Sequence, residues 1–141
     1  MHTLRHVIQR QHLVHAEPTA TVFDVAVQMS AARVGCIPVL EGGRLVGVFS
    51  ERDLMTRVVV EGRDARRTAV ASVMTSEVIT ANLDDRVELC VEKMRSCGCR
   101  HLPVVADGRV IAMISMRDLM RDEIEEQVEE IRGLRAYIQQ A

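Results

Sequence analysis

The sequence predicts an α/β (α+β) fold: two β-α-β-β-α units packed as a pseudo-two-fold pair, followed by a C-terminal helix. Three observations predict it. The chain matches itself without a gap at a shift of 65 residues. Both copies run through strand-like and helix-like apolar patterns in the same order. The acidic end of the chain carries apolar residues at helical spacing.

The repeat is the strongest signal. Pro38-Val39 falls on Pro103-Val104, Gly43-Arg44 on Gly108-Arg109, and Ser50-x-Arg52-Asp53-Leu54-Met55 on Ser115-x-Arg117-Asp118-Leu119-Met120; nine of the eighteen positions from Pro38 to Met55 are identical. Each copy begins with a short apolar run, Leu13-Val14 or Val78-Ile79. Turn residues follow, and Thr19 and Asp84 are the expected N-caps of the next helix. That helix shows Val22, Val25, Ala26 and Met29 in one copy and Val87, Cys90, Val91 and Met94 in the other. Two strands come next, Ile37–Leu40 with Leu45–Phe49 and Leu102–Val105 with Val110–Ile114, each pair joined by a glycine-bearing turn. A second helix opens at Ser50 or Ser115. Neither copy alone can cover both faces of its sheet, so the two should pack together. The expected organisation is a first repeat over 1–60, a linker over 61–72, a second repeat over 73–122, and an acidic amphipathic helix over 123–141.

Composition narrows the function. Of 141 residues, 48% are hydrophobic, enough for a real core, and the 2% aromatic content offers no stacking platform for single-stranded nucleic acid. A net charge of −2 attracts neither DNA nor anionic membranes, and no helix-turn-helix, finger or basic arm is present. No apolar run is long enough to span a bilayer. The opening MHTLRHVIQR lacks the apolar region of a signal peptide, so a cytoplasmic location and reduced thiols at Cys36, Cys90, Cys97 and Cys99 are expected.

The chemistry is expected where a strand runs into Ser-x-x-Asp at a helix start, twice. Free backbone N–H groups and the helix dipole favour an anion there. The Ser hydroxyl can donate to a phosphate oxygen, and the Asp, one turn on, can accept two hydrogen bonds from a ribose diol. The purely structural alternative is an N-cap and a first-turn acid. Its retention in both copies favours a ligand.

The pattern strand-Pro-Val-strand-Ser-x-x-Asp, in tandem, resembles a pair of cystathionine-β-synthase-type (CBS) domains over about Val7 to Asp122. The segments GVFSERDLMTRVVVEGR and RHLPVV are similar to those of small stand-alone bacterial CBS-pair proteins. The resemblance implies a regulatory module binding an adenosyl ligand (AMP, ADP, ATP, NAD or S-adenosylmethionine) between the repeats, with no cofactor required. It also implies a homodimer of pairs, commonly disc-shaped, and an unidentified effector protein. By the same resemblance Asp53 and Asp118 hold ribose, Ser50 and Ser115 approach phosphate, with Arg117 beside them, and Ile37 and Leu102 line the adenine slots.

The copies differ. Arg100-His101 precedes the second Pro where Gly35-Cys36 precedes the first, so the Asp118 site is the one equipped for a phosphate. Ala112 replaces Gly47, adding a methyl where the resemblance implies a close approach of ligand to backbone. Favouring Asp118 rests on the donors outweighing that methyl.

Other features have plainer readings. Cys97-Gly98-Cys99-x-His101 lacks the spacing and second half of a zinc site, so no metal is expected. His2, His6, His12 and His15 read as surface or tail residues. Arg57, Arg63, Arg66 and Arg67 interleave with Glu61 and Asp64 in a solvated linker, from which one arginine is a candidate phosphate contact. Ile124, Val128, Ile131, Leu134 and Ile138 form a stripe expected to pack within a homodimer. Two other functions compete with a sensor. An enzyme would need a nucleophile with a convincing base, which Ser-x-x-Asp does not supply. A dimerising scaffold with degenerate clefts would find support in Ala112.

Overall fold

The computed structural model describes residues 2–8 and 13–140; His12 lies outside them. Helices and strands alternate in chain order: α1 (Leu4–Val7), α2 (Val22–Ala32), β1 (Cys36–Glu41), β2 (Arg44–Ser50), α3 (Glu51–Asp53) running into a π-helical turn (Leu54–Val59), a 3₁₀ turn (Val70–Ser72), β3 (Ala81–Asn82), α4 (Val87–Cys97), β4 (His101–Ala106), β5 (Arg109–Ser115) and α5 (Met116–Gln140). The expected two-fold repetition holds down to register. Cys36 pairs with Ser50 as His101 pairs with Ser115, and both hairpins carry an irregularity at the same place, between Val39 and Leu40 and between Val104 and Val105. The hairpin turns need positive φ, which Gly42 and Gly43 take in the first and Asp107 and Gly108 in the second. β5 packs against β1 and β2, which brings the two repeats into one body.

Each repeat has its own core. Val22, Val25, Met29, Ile37, Val39 and Phe49 anchor the first; Val87, Cys90, Met94, Leu102, Val104 and Ile114 anchor the second. What joins them is an exchange of segments. The Leu4 side chain, wholly buried, belongs to the second core, whereas Val70 from the connecting stretch belongs to the first. The backbone repeats the exchange: Val87 N–H donates to the His2 carbonyl and Leu4 N–H to Asp85, while Val22 N–H donates to Thr68 and Val70 N–H to Ala20. A helix's first N–H groups have no partner within the helix, so each exchanged strand caps the helix of the opposite repeat.

Several local expectations are corrected. The first strand of each repeat forms three residues later than its apolar run: Ala16 makes a single parallel bridge to Val39, and β3 begins at Ala81. Small residues allow that close parallel approach. Thr21, not Thr19, caps α2 through its side-chain oxygen. α4 starts after Arg86 without a side-chain cap, because Asp84 is drawn outward to Arg5 at 2.7 Å and Asp85 to Lys93 at 2.8 Å. Cys97 and Cys99 are paired as a disulfide rather than reduced; Gly98, in the left-handed region, ends α4 and brings their Cα atoms to 5.3 Å. Cys36 and Cys90 are free and buried. His2 is not a tail residue: its Nδ1 lies 2.9 Å from the carboxylate of buried Asp122.

Gly47 is required by packing. A Cβ there would lie 2.5 Å from Met74 Sδ and 2.9 Å from the Thr75 carbonyl, part of the strand that pairs with Val48 on the edge of β2. At the matching position the Ala112 methyl is accommodated in the second core. Gly47→Ala is therefore expected to destabilise the protein by about 1–3 kcal/mol in thermal or urea unfolding, since the Thr75 backbone cannot step aside as a side chain can. Ala112→Gly should cost only about 1 kcal/mol, from one buried methyl and a more flexible strand.

Candidate functional site

The two Ser-x-x-Asp sequences fold alike. Ser50 Oγ accepts from the Asp53 N–H at 3.1 Å, and the Asp53 carboxylate accepts from the Ser50 N–H at 3.0 Å. Ser115 and Asp118 repeat this at 3.1 and 2.9 Å. Each is a capping box, so the structural role weighed for these residues is real. It occupies only one carboxylate oxygen, Oδ2, and leaves Oδ1 available for something else.

At that second oxygen the sites diverge. Asp53 is buried; its Oδ1 lies 3.6 Å from Arg57 Nε, and the Thr75 hydroxyl reaches both oxygens at 3.4 Å. Arg57 also donates to the carbonyls of Val73 and Met74, tying the connecting segment to the π-helical turn that follows α3. In the second repeat the position of Arg57 is Asp122, which turns instead to His2. Among the described residues, Asp118 Oδ1 has no hydrogen-bond or ion-pair partner, and the guanidinium groups of Arg100 and Arg117 are exposed and equally unpaired. Two of the linker arginines are committed elsewhere: Arg66 stacks 3.8 Å over Phe23, and Arg67 pairs with Asp64.

His101 stands at the start of β4, half-buried. Burial pushes its imidazole below the ordinary range, opposed by the negative charges of Glu51 and Asp118 and reinforced by Arg100. Glu51 is the residue that sequence reasoning missed. It opens α3 in the first repeat, yet its charge reaches His101 of the second and Cys36 of the first. Burial and the Asp53 charge push the Cys36 thiol up to about 12, so it stays protonated and makes no nucleophile.

Ile37 and Leu102 depart from their expected role. Both are wholly buried within the cores of their own repeats, so their side chains do not line an open slot. On the strand face opposite Leu102, His101 lies within electrostatic reach of Glu51 of the first repeat. Elsewhere, His2, Asp122 and Glu126 offer three donor atoms within 4.8 Å of one another. The proton on His2 is favoured chiefly by its bond to Asp122.

Two CBS domains match this chain, over residues 4–60 and 70–125. The chain belongs to the CBS-domain family. It is 35% identical over 124 residues to the mitochondrial CBS domain-containing protein CBSX3 of Arabidopsis thaliana, a match covering 84% of this chain and 60% of that one. It is 32% identical over 102 residues to YhcV of Bacillus subtilis, covering 72% of each. The crystal structure of the CBS domain NE2398 superposes with a TM-score of 0.82 at 31% identity, covering 87% of this chain and 98% of that one. The CBS pair of protein MJ0100, crystallised with 5′-methylthioadenosine and S-adenosylmethionine, shares the fold with a TM-score of 0.80 at 20% identity, over 89% of this chain and 98% of that one. The chain thus spans about 60% of the length of CBSX3. No helix among the described residues is long and apolar enough to cross a membrane.

The electrostatic link across the repeats is directly testable. Glu51→Gln removes a charge that favours protonated His101, so the imidazole should titrate at lower pH than in the parent chain when followed by NMR of its ring protons. An unchanged titration would show that Glu51 does not face the second site.

Proposed function

We propose that this protein is a regulatory module, not an enzyme, that binds an adenosyl ligand such as AMP, ATP, NAD or S-adenosylmethionine at the junction of its repeats and works as a homodimer on an effector protein. The observation that carries this reading is the unpaired Asp118 Oδ1 beside Arg100, Arg117 and His101. Asp118 Oδ1 accepts from the ribose diol. The phosphate is met by Arg100 and His101, and by the Ser115 hydroxyl, whose oxygen already accepts from the Asp118 N–H and so has its proton to give. Arg117, one residue before Asp118, adds a second exposed cation at the helix start. The adenosyl complexes of the MJ0100 pair support the choice of ligand class for this fold.

The Asp53 site is closed by Arg57 and Thr75 and is read as a structural brace. Calorimetry should therefore show that Asp118→Ala weakens AMP binding by about ten-fold or more, the loss of one or two hydrogen bonds to a charged group. Asp53→Ala should lower thermal stability while leaving affinity within a few-fold. Loss of binding in the Asp53 variant alone would reverse the assignment of the two sites, and no binding of any adenosyl compound to the parent chain would end this reading.

His101 adds a pH dependence with a definite sign. In the free protein burial keeps its imidazole mostly neutral near neutral pH. A phosphate dianion raises that affinity for the proton, so binding takes up a proton and tightens as pH falls from about 8 toward 6. Calorimetry in two buffers of different ionisation enthalpy measures the uptake, and His101→Ala should abolish it.

A further inference from the structure

The last turns of α5 leave the body. Leu119 and Asp122 are buried, and from residue 123 to 140 nearly every side chain is exposed. Along α5, Met120, Ile124, Val128, Ile131, Leu134 and Ile138 are large and apolar, each between 41% and 70% exposed. A solvated helix this apolar on one side is stable only when the stripe is covered.

Five of the six follow a seven-residue repeat, and Val128 falls one residue beyond it, beside the seam. Ile124, Ile131 and Ile138 are spaced by seven, and Met120, Gln127 and Leu134 form a second series of the same period, four residues ahead of the first. These are the a and d positions of a heptad pattern, with β-branched Ile at a and Leu at one d, the combination that favours two parallel strands. Glu130 then takes a g position and Arg135 the following e position, which face each other across a parallel pair. Glu125, Glu126 and Glu129 fall on the outer face, and Glu123 takes the g position one heptad before Glu130.

We infer that α5 pairs with α5 of a second copy of this chain as a short parallel, in-register coiled coil, with Glu130 meeting Arg135 of the partner subunit on both sides. An antiparallel pair fits worse. In its fully overlapped register Arg121 meets Arg135 of the partner subunit and Glu130 meets its own counterpart. Slid by one heptad, it leaves Met120 and Ile124 uncovered and gains no ion pair. This inference rests on the homodimer proposed above and adds which surface forms it and in which direction.

The test is Ile138→Cys in a Cys97→Ser/Cys99→Ser background, where the two remaining cysteines are buried and held protonated. In the parallel pair the two residues 138 meet across the seam. In either antiparallel register they lie more than about 15 Å apart, at 1.5 Å of rise per residue. Mild oxidation should carry most of the chain to a disulfide-linked dimer on a non-reducing gel. Adding Ile131→Glu, at an exposed position outside both cores, should abolish that band while nucleotide binding measured by calorimetry persists. Absence of the linked dimer in the Ile138→Cys chain, or its survival in the Ile131→Glu variant, would overturn the inference. Both results leave the nucleotide reading to its own test.

Discussion

The arrangement depends on one small constraint: a carboxylate that must cap its own helix and still serve the junction between repeats. In both copies the Ser–Asp pair exchanges two hydrogen bonds, and each cap of this kind is worth about 1 kcal/mol. That fixes the carboxylate in place, with one oxygen spent on the backbone and the other aimed outward. What happens to the free oxygen distinguishes the repeats. Arg57 and Thr75 claim it in the first, tying the connecting strand to the helix start. In the second, the residue at the position of Arg57 is an acid, and it faces His2.

The same substitution links the site to the exchange of segments. Arg57 holds the strand that leads into the second repeat, and His2–Asp122 holds the strand that leads into the first. Both braces sit one turn beyond a Ser-x-x-Asp helix start. They are built from opposite charges, so one consumes the Asp and the other spares it. The braced site ties the connecting segment to its helix start, and the spared site keeps a carboxylate oxygen without a partner among the described residues.

Much of this was legible in the sequence because the signals were local. The duplication set the hairpin register, and the glycine turns and Ser-x-x-Asp helix starts appear where the pattern places them. The asymmetry at Arg100-His101 was also visible. Strand parity was not, because Cys36, Ile37, Pro38 and Val39 are all buried and a run buried on both faces carries no alternation to read. Ile37 and Leu102, placed at the ligand slots by family resemblance alone, lie within the cores of their own repeats. Contacts between distant segments were equally silent: nothing near Leu4 marks it for the second core, and nothing near Glu51 marks it as a neighbour of His101. The placement of helix caps failed by two residues at both Thr19 and Asp84, where several turn-forming residues compete for one role.

The central claim is that the two clefts, alike in sequence, are unequal, with the ligand at Asp118. Amide chemical shifts recorded while AMP is added test it most directly. The perturbed residues should cluster at Arg100–Leu102 and Ser115–Asp118, with Ser50–Asp53 near their starting positions. Shifts centred on Ser50–Asp53, or none at saturating nucleotide, would contradict it.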